Sequence, residues 1–175
     1  MVHFTKEFVM VRKLLMAFIA VLTFITFAGA ADAPKNVLKP TNKLESWRFE
    51  QHDAAKGKIT AEEDAIVFET TDSDGTDWHI QAFQNGLDLK DGKEYVVTFK
   101  AKASADRTIV LNAGIDQDDW HPVGLTENVE LPKDWKDYKY EFKAEQTLAN
   151  KNRIGFVMGT DKGKVWVKDM TLSAK

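Results

Sequence analysis

Two stretches of alternating residues constrain the fold of this chain more than any other feature of its sequence. In residues 77–85, Trp78, Ile80 and Ala82 fall on one face of a strand, because strand side chains alternate with a period of two. The other face carries an imidazole, two amides and a phenyl ring, from His79, Gln81, Phe83 and Asn85. Residues 95–102 repeat this alternation. Both stretches are therefore predicted to be strands with one face in a core.

Further short alternating runs follow one another to the end of the chain. They cover residues 46–51, 58–60, 65–70, 108–115, 124–131, 135–144, 153–158 and 164–172, with turn residues between them. About nine or ten strands at this spacing predict an all-β sandwich or barrel. The chain has no cysteine, so the core must stabilise this fold without disulfides.

The first 30 residues have the pattern of a secretory signal. A basic leader precedes an apolar run over residues 14–27, and Ala28-Gly29-Ala30 fits a cleavage site. Met10 is an alternative start, and an uncleaved N-terminal anchor is the alternative to cleavage. We therefore expect residues 1–30 to be a signal peptide and the mature protein to be secreted or periplasmic.

Cleavage at this point leaves a chain of the length of one domain. Residues 31–43 are predicted to be a linker, and residues 44–175 the folded domain. The net charge changes from −3 to −5 without residues 1–30, because these hold three basic residues and one acidic residue. A negative charge argues against nucleic acid or an anionic membrane as a partner.

Several motifs in a fixed order carry a resemblance to a known family. Trp78-His-Ile-Gln is followed by Leu89-x-x-Gly92-Lys-x-Tyr95-x-Val97-x-Phe99-x-Ala101-x-Ala103-Ser. After these come Trp135-x-x-Tyr138-x-x-x-Phe142, Phe156-x-x-Gly159 and Gly163-x-Val165-Trp166-Val167-x-Asp169-Met170-x-Leu172. In this arrangement, residues 44–174 resemble the carbohydrate-binding modules of families 4, 9 and 22.

The resemblance implies a jelly-roll β-sandwich of two antiparallel sheets, one of them concave. In family members the concave sheet holds a polysaccharide, and the modules usually accompany glycoside hydrolases. It implies a secreted, non-catalytic module for a β-linked polysaccharide or oligosaccharide, and it leaves open a separate glycoside hydrolase as a partner. It also implies that four tryptophans pack in the core: Trp47, Trp78, Trp135 and Trp166.

The ligand-contact positions of the family can be placed on this sequence. The cleft amide before a glycine falls on Asn85, the aromatic platform of a later loop on Trp120, and the polar position of that loop on Asp116. Three further polar positions hold a cation or an apolar residue here: Arg153, Val157 and Val110. These replacements argue against the usual glucan or xylan specificity of the family.

The residue types themselves suit a ligand that is rich in hydroxyl groups. Trp120 lies in a polar loop, where its ring face could stack on a pyranose ring or anchor the loop. Amides both donate and accept hydrogen bonds, so Gln81, Asn85 and Asn112 suit sugar hydroxyls, unless they bond each other or a covering loop. His79 and Phe83 are weaker candidates, with surface exposure and loop packing as their alternatives.

Family members commonly bind a structural calcium beside an acidic pair near the end of the domain. That pair is Lys168-Asp169 here, so Asp169 is the one candidate metal ligand and its lysine neighbour weakens the case.

The predicted open face also argues against catalysis. Glycoside hydrolysis needs two carboxylates ~5–9.5 Å apart, and the strand positions predicted for this face include none. The loop acids Asp116, Asp118 and Asp119 have no partner that would activate them. A jelly-roll glycoside hydrolase or polysaccharide lyase is the alternative, and a protein–protein adhesion domain is another.

Overall fold

A computed structural model of the protein describes residues 34–175, which contain ten strands and two short 3-10 turns. The turns cover Leu44–Ser46 and Asp77–His79. The strands are β1 (Arg48–Gln51), β2 (Lys56–Glu62), β3 (Ala65–Asp72), β4 (Ile80–Leu87), β5 (Glu94–Ala103), β6 (Arg107–Ile115), β7 (Pro122–Leu131), β8 (Lys136–Lys143), β9 (Asn152–Val157) and β10 (Gly163–Ala174). The predicted signal peptide and the start of the predicted linker lie outside the described residues.

The strands form two five-stranded sheets, which we call the front sheet and the back sheet. The front sheet has the order β1-β4-β9-β6-β7, and the back sheet has the order β2-β3-β10-β5-β8. All neighbouring strands run antiparallel. The prediction of an all-β, jelly-roll sandwich of two antiparallel sheets is confirmed. No helix in residues 34–175 is long and apolar enough to cross a membrane.

The core lies between the sheets, because alternate residues of each strand point inward. The front sheet contributes Ile80, Ala82, Leu111, Ile154 and Phe156, and the back sheet contributes Phe68, Val97, Phe99 and Val167. Phe99 meets Phe156 edge-on across the interface, with ring centroids 5.2 Å apart. Trp47 packs against Phe68 at 5.1 Å and donates its indole N–H to the carbonyl of Thr41. The core assignment of Trp47 is therefore confirmed.

The other three tryptophans are not core residues, and the prediction for them is wrong. Trp78 is 49% exposed, because residues 77–79 form a 3-10 turn and the strand alternation begins only at Ile80. Trp135 is 38% exposed just before β8, where Lys102 and Lys168 lie over its ring. Trp166 lies on the outer face of β10, between the inward-pointing Val165 and Val167.

The register of the front sheet brings the polar faces of its central strands together. In β4, Gln81 pairs with Val157, Phe83 with Gly155 and Asn85 with Arg153 of β9. On the other side of β9, β6 places Val110 beside Val157 and Asn112 beside Gly155. The outward residues of these three strands therefore form one continuous surface, as the alternation predicts.

Candidate functional site

A groove of about 600 Å³ lies over this outward surface of the front sheet. Its size falls within the ~300–1,000 Å³ range of small-molecule sites in proteins. The lining residues combine two indole rings with charged and amide side chains: Arg48, Glu50, His52, Trp78, Gln81, Trp120, Arg153 and Val157. We call this surface the groove.

Trp120 forms one end of the groove. The loop between β6 and β7 places Asp119 and Trp120 in the left-handed region, with φ of 83° and 48°, an uncommon conformation for a bulky residue. The indole is 49% exposed, so part of its surface is open to a ligand. The prediction that this loop tryptophan is exposed rather than deeply buried agrees with the structure.

His121 holds the Trp120 loop in place through both ring nitrogens. Its Nδ1 lies 2.8 Å from a carboxylate oxygen of Asp119, and its Nε2 lies 2.9 Å from the carbonyl oxygen of Gln146. Both partners are acceptors, so the doubly protonated imidazolium satisfies both contacts. The bond to Gln146 and the bond to Asp119 accordingly raise the pKa of His121.

Trp78 forms the opposite end of the groove. It lies just before the start of β4, whereas Trp120 contacts Arg153, which pairs with Asn85 near the end of β4. Its ring packs edge-on against His79, with centroids 4.2 Å apart, and lies 5.3 Å from His52. It is as exposed as Trp120. The groove therefore has an open indole at each end.

The imidazole beneath Trp78 is buried and fixed by two carboxylates. His79 is only 7% exposed, with Nδ1 2.7 Å from Asp74 and Nε2 3.2 Å from Asp53. The hydrogen bond from His79 lowers the pKa of Asp74. His79 was predicted to lie on the open face of a strand, but it belongs to the 3-10 turn. Its position supports Trp78 and gives it no open path to a ligand.

Arg48 and Glu50, which line the groove, belong to a connected network of polar side chains. The Asp116 carboxylate accepts hydrogen bonds from Arg48 at 3.2 Å and from the Asn85 amide at 3.0 Å. Its side chain is only 12% exposed. Arg48 also pairs with Glu50 on the same strand. This network fixes Asn85 and Asp116 against each other, which is the alternative considered for the amides from the sequence.

Arg153 lies over two aromatic rings on the floor of the groove. Its guanidinium carbon is 4.3 Å from the ring centroid of Phe83 and 5.0 Å from that of Trp120. Burial lowers the pKa of Arg153, whereas the charges of Asp116 and Glu50 raise it. Within residues 34–175, the guanidinium makes no hydrogen bond. Phe83 is thus covered by cations, since Arg48 lies 5.1 Å from the same ring.

The remaining predicted site residues differ in how free their polar groups are. Gln81 lines the groove and makes no side-chain hydrogen bond among the described residues. Asn112 donates to the Leu125 carbonyl and to the Thr126 hydroxyl, so its amide nitrogen is already engaged. Of the predicted ligand contacts, Trp120, Gln81 and Arg153 therefore meet in the groove.

The sequence-based prediction missed four groove residues: Trp78, Arg48, Glu50 and His52. A signal for Trp78 was present, because the polar run Thr76-Asp77 before it resembles the setting of Trp120. The other three lie on or beside β1, an edge strand whose register to β4 no local pattern reveals. Glu50 is also a carboxylate on the open face, which was predicted to carry none.

Two of the acidic groups near the groove share one guanidinium. Arg48 contacts both Glu50 and Asp116. Each of these two carboxylates is therefore held in an ion pair.

Asp169 is the one candidate metal ligand that the resemblance implies. Asp169 is exposed at a bulge in β10, and its neighbour Lys168 donates to the carboxylate of Asp64 at 2.9 Å. Among residues 34–175, no three His, Cys, Asp or Glu side chains converge as metal ligands. The structural calcium therefore stays a prediction from the resemblance alone.

The sequence of residues 24–163 matches the model of a family described as carbohydrate binding domain. The chain belongs to this family. A comparison with curated proteins gives no match. The groove with its two exposed indoles is accordingly the candidate ligand site of a carbohydrate-binding domain.

Solved structures share the fold of this carbohydrate-binding domain at low sequence identity. A structure titled "CBM4 structure and function" is 23% identical, with a TM-score of 0.67 over 82% of this chain and 96% of that chain. The N-terminal cellulose-binding domain from Cellulomonas fimi β-1,4-glucanase C is 16% identical, with a TM-score of 0.62 over 77% and 92%. The CBM22-1–GH10 modules of Clostridium thermocellum xylanase 10B, complexed with xylohexaose, are 17% identical, with a TM-score of 0.58 over 82% and 29%.

Proposed function

We propose that this protein is an exported, non-catalytic carbohydrate-binding module that holds a β-linked polysaccharide or oligosaccharide in the groove. The observation that carries the proposal is the pair of indoles, Trp78 and Trp120, each 49% exposed at opposite ends of one groove. Flat aromatic faces stack on the apolar faces of sugar rings, and the Gln81 amide between them can both donate to and accept from hydroxyls.

The relatives support a β-linked ligand. One is described as a cellulose-binding domain of a β-1,4-glucanase, and another as a xylanase with xylohexaose bound. In the second, the binding module and a catalytic module share one chain, which supports a glycoside hydrolase as a partner of this protein. The apolar run and cleavage site in the first 30 residues support export to the periplasm or the medium.

The test combines a glycan array with affinity measurements on three tryptophan variants. Trp78→Ala and Trp120→Ala should each lose roughly ten- to a hundredfold in affinity, because one stacked ring contributes on the order of 1–3 kcal/mol. Trp135→Ala is the matched control, since this tryptophan is also exposed but lies outside the groove. The melting temperature of each variant should fall by only a few degrees.

The results separate the proposal from its alternatives. Unchanged binding by well-folded Trp78→Ala and Trp120→Ala proteins would place the ligand elsewhere and remove the proposed site. A hydrolase or lyase would release sugar ends from a polysaccharide panel, and Asp116→Ala would abolish that turnover. An adhesion domain would bind a protein partner and no glycan on the array.

A further inference from the structure

The two arginines beside Phe83 differ sharply in how their charges are satisfied. Arg48 is bonded to the carboxylates of Glu50 and Asp116. Arg153 lies closer to the Phe83 ring, at 4.3 Å, yet has no hydrogen-bond acceptor within residues 34–175. The two nearby carboxylates are held by Arg48, and Asp116 also accepts from Asn85. One guanidinium on the groove floor is thus left with free donors.

The Arg153 guanidinium is only partly buried and lines the groove, so its unpartnered N–H donors can reach a ligand there. The aromatic rings interact with its charge but leave the N–H donors along its planar edge available. Such an edge matches the two oxygens of a carboxylate or a sulfate, and charge-assisted bonds of this kind are about twice as strong as neutral ones. An oxyanion therefore fits this position better than a neutral hydroxyl does.

We propose that Arg153 binds the anionic group of an acidic sugar, so that the groove selects acidic glycans. This inference rests on the proposed function, because it names the ligand class of the same groove. The anionic group is a uronate carboxylate or a sulfate ester, two sources with the same oxyanion chemistry. The sugar ring bearing it would lie beside Trp120, whose indole contacts the same guanidinium at 5.0 Å.

Calorimetric titrations at fixed ionic strength test this with two matched ligand pairs. The first pair is a polyuronate oligosaccharide and its carboxyl-reduced form, and the second is a sulfated galactan oligosaccharide and its desulfated form. The wild-type protein should bind the acidic member of one pair roughly tenfold or more tightly than the neutral member. The pair that shows this preference identifies the source of the oxyanion.

Three variants separate direct contact from net charge. Arg153→Gln should lose roughly ten- to a hundredfold in affinity for the acidic member and less than about threefold for the neutral one. Arg153→Lys keeps the charge without the planar edge and should fall between Arg153→Gln and the wild type. Lys151→Gln also removes one positive charge, beside the loop that holds Trp120. Among the described residues, the Lys151 side chain bonds only Gln117, so this variant should keep the preference for the acidic ligand.

The outcomes are distinct for the two proposals. Equal affinity of the wild type for both members of each pair overturns the acidic-glycan inference, as does an equal loss for both members in Arg153→Gln. If binding still depends on Trp78 and Trp120 in those cases, the proposed function stands. A wild-type protein that binds neither ligand pair and no glycan on the array overturns both the acidic-glycan inference and the proposed function. The preference of the wild type decides the inference even if a variant fails to fold.

Discussion

At the residue scale, exposure separates tryptophans that sequence patterns had grouped together. Trp47 is 7% exposed and contacts Phe68 and Phe156, whereas Trp135 is 38% exposed under two lysines. Both precede a strand, so their positions along the chain do not distinguish them. Only the contacts made in the folded protein distinguish them. These contacts predict a large loss of stability on truncation of Trp47 and a small one on truncation of Trp135.

Truncation of Trp47 should therefore destabilise the protein far more than truncation of Trp135. Trp47→Ala leaves a cavity between the sheets and an orphaned Thr41 carbonyl, for a loss of ~3–5 kcal/mol in the free energy of unfolding. Trp135→Ala should cost less than about 1 kcal/mol. Chemical denaturation of both variants measures the difference. Similar midpoints for the two variants would contradict the burial described here.

Gly155 is a second position where one added carbon atom should change the stability of the protein. A methyl group there would lie 2.0 Å from the carbonyl oxygen of Ala82 and 2.5 Å from the Cα of Phe83, both backbone atoms of β4. Gly155→Ala must push β9 away from β4, which should cost on the order of 2–4 kcal/mol and displace the groove floor.

Gly75→Ala is the control for this change. Gly75 has φ of 88° and open space around it, so only backbone strain of ~1–2 kcal/mol applies. Thermal denaturation compares the two variants. Gly155→Ala should also lose ligand affinity, and Gly75→Ala should keep it. A Gly155→Ala protein as stable as Gly75→Ala would contradict the close approach of the two strands.

At the scale of the element, the Trp120 loop should respond to pH. The raised pKa of His121 means that folding favours the imidazolium over the neutral ring. The contribution of His121 is therefore fully present below its ordinary pKa of 6.5 and is lost as the pH rises through the raised value. Affinity for a ligand that stacks on Trp120 should fall over that range.

The measurement is ligand affinity across the range from about pH 5.5 to 8.5, for the wild type and for His121→Gln. Glutamine does not titrate in this range, so the decline of affinity with rising pH should be absent in the variant. His52 also lines the groove and is present in both proteins, so the difference between the two profiles isolates His121. Identical profiles would show that the loop does not depend on the imidazolium.

The strands and their faces could be predicted because alternation is a local property. Tyr138 and Phe142 are buried on β8, as the pattern indicates, and Gln81, Phe83 and Asn85 share one face of β4. The error at Trp78 arose because residues 77–79 form a 3-10 turn, so the strand alternation begins at Ile80, two residues later than the apolar pattern suggests. Interactions such as Arg48 with Asp116, which are far apart in sequence, depend on sheet order and had no local signal.

At the scale of the whole molecule, the carbohydrate-binding fold and the predicted export signal belong to separate segments. We expect residues 1–30 to be absent from the exported protein, since a basic leader, an apolar run and Ala28-Gly29-Ala30 precede the domain. N-terminal sequencing of protein recovered after export checks this. A terminus at Met1 or Met10 would instead indicate an uncleaved anchor.

The environments of the tryptophans also determine how the protein emits light. The indoles of Trp78 and Trp120 are each about half exposed to solvent, whereas Trp47 is shielded in the core. A ligand lying in the groove would displace water from the first two, shift their emission to shorter wavelength and protect them from a soluble quencher. The other three tryptophans, Trp47, Trp135 and Trp166, lie outside the groove and would contribute a constant background. The protein therefore carries its own optical reporter of ligand binding, and single-tryptophan variants would assign the signal to one end of the groove.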